Sequence, residues 1–130
     1  QKIKSVIAES GHSSFLGNIA VNQAAQQTNT LMVNENLLLG EKGQADSAPQ
    51  LEILADEVKC NHAATITQLD DKALFYLLSR GFSQDAAKLL LLQAFTKEVV
   101  HHIKHPAVLE HCQQMVAQRV AQLLRGSHES

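Results

Sequence analysis

The apolar residues of this chain change their spacing once, near residue 69, and that change limits the folds open to it. Up to about Thr67 they come in short bursts: Val6–Ala8, Phe15–Leu16, Ile19–Val21, Leu31–Val33, Leu37–Leu39, Leu51–Leu54 and Ala64–Ile66. Lys2-Ile3-Lys4 and Leu51-Glu52-Ile53 alternate with period two, as half-buried strands do. Gly11, Gly17, Asn18, Asn22, Gly40, Gly43 and Pro49 stand between or beside the bursts and are read as corners, because these residue types turn a chain cheaply. The bursts recur at irregular intervals of roughly 6–14 residues, with no strict hexapeptide or nonapeptide repeat. The edge of a β-sandwich and an irregular β-solenoid both fit this half.

From Asp70 the spacing is helical. Asp70-Asp71 is an acidic start that suits the helix dipole, and Leu74, Leu77 and Leu78 then share one face. Gly81 is read as the residue that ends this helix, and Ser83 as the cap of the next. Ala86, Ala87, Leu90, Leu91, Ala94, Phe95 and Val99 form a broad apolar stripe. Pro106 suits the first turn of a third helix, along which Leu109, Cys112, Val116, Val120 and Leu123 return every three or four residues; Gly126 and a polar tail follow. The expected helices are about 70–80, 83–104 and 106–125, packed as a small antiparallel three-helix bundle. The fold class is α+β by sequence order, with a β-rich domain over 1–68 and a helical domain over 69–130.

Composition narrows the function classes. The chain has 130 residues and is 45% hydrophobic, enough for an ordered core, but it has no Trp and one Tyr, so Leu, Val, Ile and Ala must fill that core. A net charge of -2 gives no bulk attraction to nucleic acid or to a membrane surface. Leu37–Leu39 and Leu89–Leu92 are far shorter than the roughly 20 residues that span a bilayer. The opening QKIKSVIAESGHSS lacks a starting Met and the order of a signal peptide, and reads as the interior of a longer chain. Two cysteines without a secretion signal fit reduced thiols in the cytoplasm better than a disulfide framework.

Cys60 and His62 are two apart, which in a strand puts both side chains on one face. Thiolate and imidazole are common ligands for borderline soft metals, yet two ligands do not close a tetrahedral site. A buried thiol beside a hydrogen-bonded His is the plainer reading. His101, His102, His105 and His111 are the densest ionisable cluster, and His101 and His105 have the i, i+4 spacing of one helical face. A solvated helix end, where His is favoured by the dipole, competes with a metal site there. A self-sufficient metalloprotein using Cys60, His62 and the His101–His111 cluster is therefore the alternative to a binding role. A thiol enzyme centred on Cys60 lacks an oxyanion loop and a third orienting group. No nucleotide-binding glycine motif is present.

Taken together, the motifs resemble the SufB/SufD family. Pro49–Phe82, PQLEILADEVKCNHAATITQLDDKALFYLLSRGF, is similar to a family run close to P-x-L-E-I-x-A-D-D-V-K-C-S-H-G-A-T, L-D-E and L-F-Y-L-x-S-R-G. Upstream, Phe15-Leu16-Gly17, Gln26-Gln27-Thr28 and Asn36-Leu37-Leu38-Leu39 resemble the family's F-x-G, Q-x-T and N-L-L-L segments. The resemblance runs from about Ser14 to Val100; beyond Pro106 only the pattern matches. The two SufB-type hallmarks, a Cys before the M-L-I-G run and a Glu after the motif His, are replaced by Asn34 and Ala63, so the motif is of the SufD type.

The resemblance implies the last coils of a right-handed parallel β-helix followed by a C-terminal helical domain. It implies a non-enzymatic scaffold subunit of the SUF iron–sulfur cluster assembly machinery. A SufB-like paralogue would pair with the 50–67 region, and a SufC-like ATPase would bind the 70–125 helices. An iron–sulfur cluster would form transiently at the SufB interface, with no cofactor in the isolated chain. His62 would be an interfacial ligand shared with the partner, and Cys60 the motif cysteine of less defined role. Ala63 replaces the family's usual Gly, which matters if that Gly serves a positive φ or a close backbone approach. An uncovered coil edge would also allow a homodimer in isolation.

Overall fold

The structure is a computed structural model and describes residues 1–8 and 10–126. The polar tail read after Gly126 lies outside the described residues. Contacts divide the chain into two units, residues 1–67 and 68–130.

The first unit holds five strands: β1 (Lys2–Ile7), β2 (His12–Val21), β3 (Asn29–Leu38), β4 (Gln44–Ile53) and β5 (Lys59–Gln68). Successive strands alternate between two sheets, β1-β3-β5 and β2-β4. The β1/β3 and β2/β4 pairs are parallel, so strands consecutive in sequence never pair. Lys2 stands opposite Val33, 31 positions on, and His12 opposite Gln44, 32 positions on. A stretch of about that length thus carries one strand of each sheet and two connections. The charged register pair Lys4 and Glu35 closes at 3.0 Å, a cross-strand contact that favours this alignment.

The two sheets touch through inward side chains. Ile7, Val21 and Met32 are buried there, together with Asn34 and Asn36. Asn34 Nδ2 donates to Ser47 Oγ on the facing sheet at 3.1 Å. Gly17 is also buried, and a Cβ at that position would lie 2.7 Å from Met32 Sδ and 2.7 Å from Phe15 Cζ.

Three expected corners fall inside strands. Gly17 and Asn18 lie in mid-β2, so the Phe15–Leu16 and Ile19–Val21 bursts belong to one strand. A side chain at Gly17 would have to displace Met32 and Phe15, a packing constraint that the sequence alone reads as a turn signal. Pro49 lies in mid-β4, which has one strand neighbour among the described residues. Gly11, Asn22, Gly40 and Gly43 do stand between strands.

The second unit is three helices: α1 (Asp71–Ser79), α2 (Gln84–Val100) and α3 (Pro106–Gly126). Asp70 caps α1, its carboxylate accepting from the Lys72 and Ala73 N–H groups at 2.9 and 3.3 Å. Gly81, at φ +90, ends it in a Schellman arrangement: Gly81 N–H donates to Leu78 C=O and Phe82 N–H to Leu77 C=O. Ser83 Oγ caps α2 through the Ala86 N–H. Ala87 and Leu92 of α2 are fully buried, and α1 and α3 both pack on α2. One groove joins Asp85 and Leu89 to Leu124 and Arg125, another joins Lys97 and Val100 to Gln113 and Val116, so α2 and α3 run antiparallel. α2 stops at Val100, short of the expected 104, because the chain must reverse before Pro106 and a residue preceding Pro avoids the helical region.

Candidate functional site

The site begins with the corners that set β5. The Gln26-Gln27-Thr28 corner precedes β3 and the Ala55-Asp56-Glu57 corner precedes β5. They bond to each other: Gln27 N–H donates to Glu57 C=O at 2.6 Å, and Glu57 N–H donates to Gln26 Oε1 at 2.9 Å. Gln27 holds a φ of 63, and Thr28 Oγ1 donates back to Ala25 C=O, so the corner is bonded within itself as well.

The ladder then starts with Lys59 N–H donating to Thr28 C=O at 2.9 Å. In the β1/β3 pair, Val33 N–H donates to Gln1 C=O and Val33 stands opposite Lys2. The same geometry puts Lys59 beside Asn29, Cys60 beside Thr30 and His62 beside Met32. At the far end, Asn36 Nδ2 donates to Thr65 C=O at 3.2 Å, in the same register. Strand alternation therefore gives Cys60, His62, Ala64 and Ile66 the face shared by Met32, Asn34 and Asn36.

Cys60 is a half-buried free thiol and His62 is exposed. Ile66 is 52% exposed, since no strand of the other sheet follows β4 to cover this face within the described residues. Ala63 sits in regular strand, and Gln27 is the one non-glycine residue of positive φ among the described residues. The replacement of Gly at 63 therefore requires no unusual backbone here.

The histidines of the helical unit lie elsewhere. His101 is the C-cap of α2, His102 and His105 are in the α2–α3 connection, and His111 is on α3; all four are exposed. The helix ends between His101 and His105, so they do not share a helical face. No three His, Cys, Asp or Glu side chains converge as metal ligands among the described residues.

Sequence reasoning overlooked the buried asparagines. Asn34 and Asn36 are each 1% exposed, and each spends its Nδ2 on one hydrogen bond while its Oδ1 has no partner. A buried carbonyl left so costs about 1–3 kcal/mol. Their alternate positions between the Leu31–Val33 and Leu37–Leu39 bursts were the available signal. In the helical unit, α1 has no buried residue and exposes Phe75, Tyr76 and Leu78, with Phe82 beyond it. No described helix is long and apolar enough to cross a membrane.

Comparison with known proteins adds to this geometry. The family described as SUF system FeS cluster assembly, SufBD core domain, matches residues 1–95. The iron–sulfur cluster assembly protein SufD of Escherichia coli is 40% identical over 123 residues, 95% of this chain and 28% of that protein. An iron–sulfur cluster assembly SufBD family protein of Synechocystis sp. is 43% identical over 100 residues, 77% of this chain and 22% of that protein. The chloroplastic protein ABCI7 of Arabidopsis thaliana is 40% identical over 98 residues, 75% of this chain and 21% of that protein. The matched stretch thus spans between about a fifth and little more than a quarter of the length of these three proteins.

Proposed function

Because the chain belongs to the SufB/SufD family of the SUF iron–sulfur cluster assembly system, with SufD-like relatives, we propose that it is the C-terminal portion of a SufD-type scaffold subunit. In this reading residues 1–68 are the terminal coils of a right-handed parallel β-helix and residues 69–130 the C-terminal helical domain. The subunit is cytoplasmic and not an enzyme; any ATP hydrolysis belongs to its SufC-type partner. A SufB-type paralogue pairs with the end of the coils, and the nascent cluster, as cargo, forms at that junction.

The observation that carries this reading is the place of Cys60 and His62 on β5, the last strand of its sheet. An edge strand displays unpaired backbone groups, and a partner strand satisfies them. A thiol and an imidazole on that edge make half of a ligand set, which ligands from a second chain complete. Imidazole and thiolate both suit iron. His62 is the interfacial ligand and Cys60 its neighbour. The exposed Phe75, Tyr76 and Leu78 of α1 are apolar anchors of the kind a SufC-type partner would cover. Without a paralogue, the same edge can join two copies of this chain.

Ala64→Pro tests the pairing. It removes an N–H that faces away from β3 and leaves the internal ladder whole. Loss of association with a SufB-type paralogue, at unchanged secondary structure, is expected; undiminished association would refute pairing through β5.

A further inference from the structure

The end of the coils presents two strand edges, and they are not equivalent. In the β2/β4 pair, Gln44 N–H donates to Gly11 C=O and, ten residues on, Leu54 N–H donates to Val21 C=O, each at 2.9 Å. The register does not slip between them. Since backbone groups of a parallel strand alternate sides, the even-numbered residues of β4 bond to β2. The odd-numbered ones, Ala45, Ser47, Pro49, Leu51 and Ile53, face the open side. Pro49 is the middle residue of that row and has no N–H. It costs β4 no bond to β2, where it stands opposite Gly17, and it removes the central donor from the free edge.

β5 has the opposite character. Lys59 donates to β3, so the odd-numbered residues serve the ladder. Cys60, His62, Ala64 and Ile66 then hold their N–H and C=O groups toward the open side, four donors in an unbroken row. The strand contains no proline.

We infer that strand addition at this end is confined to β5, and that Pro49 closes the β4 edge. This rests on the SufB-type pairing proposed above and specifies it: the partner lays one extended strand along Cys60–Ile66 and does not continue the second sheet. The junction is then a single ladder, placed at the two candidate ligands. Proline on a free edge is a common device against unwanted edge pairing.

Amide hydrogen exchange of the chain mixed with a SufB-type paralogue tests this directly. The His62, Ala64 and Ile66 amides should slow by about tenfold or more in the complex, while those of Ala45, Ser47, Leu51 and Ile53 keep their free rates. Protection of both rows would overturn the confinement and leave the pairing standing. Protection of neither would overturn both. A Pro49→Ala variant supplies the missing donor and should gain concentration-dependent self-association with new protection at Ser47 and Leu51. If it behaves as the parent chain does, Pro49 is not what closes that edge.

Discussion

Asn34 on β3 donates its side-chain amide to Ser47 Oγ on β4, a hydrogen bond between the two sheets made inside the core at 3.1 Å. Ser47→Ala would strand the Nδ2 of a residue whose Oδ1 already has no partner. The expected cost is about 1–3 kcal/mol, read as a lower urea midpoint at unchanged slope. Adding Asn34→Leu to Ser47→Ala removes both orphaned groups and should recover part of the loss. A double variant weaker than the sum of the single changes would refute that bond as the cause.

Gly17→Ala should destabilise the β-rich unit by about 1–3 kcal/mol through overpacking, because the new methyl meets Met32 Sδ and Phe15 Cζ at 2.7 Å. Met32→Val clears one of those contacts. Thermal unfolding of the single and paired variants should therefore show the cost of Gly17→Ala shrinking in the Met32→Val background. An equal cost in both would mean that the sulfur is not what excludes the methyl.

Gly81→Ala isolates a backbone effect. Nothing lies within 4 Å of the added Cβ, but φ is +90. A loss of about 1 kcal/mol is expected, confined to the α1–α2 junction. Faster exchange of the amides at position 81 and at Phe82, which close the helix end, would report it. Gly81→Asn should lose less, because Asn tolerates the left-handed region better than Ala.

The helical unit was the more legible half. Asp70, Gly81, Ser83 and Pro106 act locally, and each marks a helix boundary through chemistry written within a few residues of it. The β-rich unit was legible as strands but not in its strand pairing. Its pairing joins residues about thirty apart, and nothing local to Lys2 points to Val33. Gly17 and Pro49 misread as corners for the same reason: one answers to Met32 across the core and the other to the side of β4 that lacks a neighbour. Cys60 and His62 were singled out by their spacing, and both do lie on one strand, β5. The expectation of a shared helical face for His101 and His105 failed because the helix ends between them.

His62 on β5 is proposed to contribute to cluster assembly at a junction with a partner subunit. Cluster maturation by the full-length protein carrying His62→Ala, measured with its partner subunits present, tests it most directly. A fall of about tenfold or more is expected with the subunits still associated, because His62 is exposed and the proposed role is that of a ligand, not of a packing residue. Maturation at the parent level would contradict it.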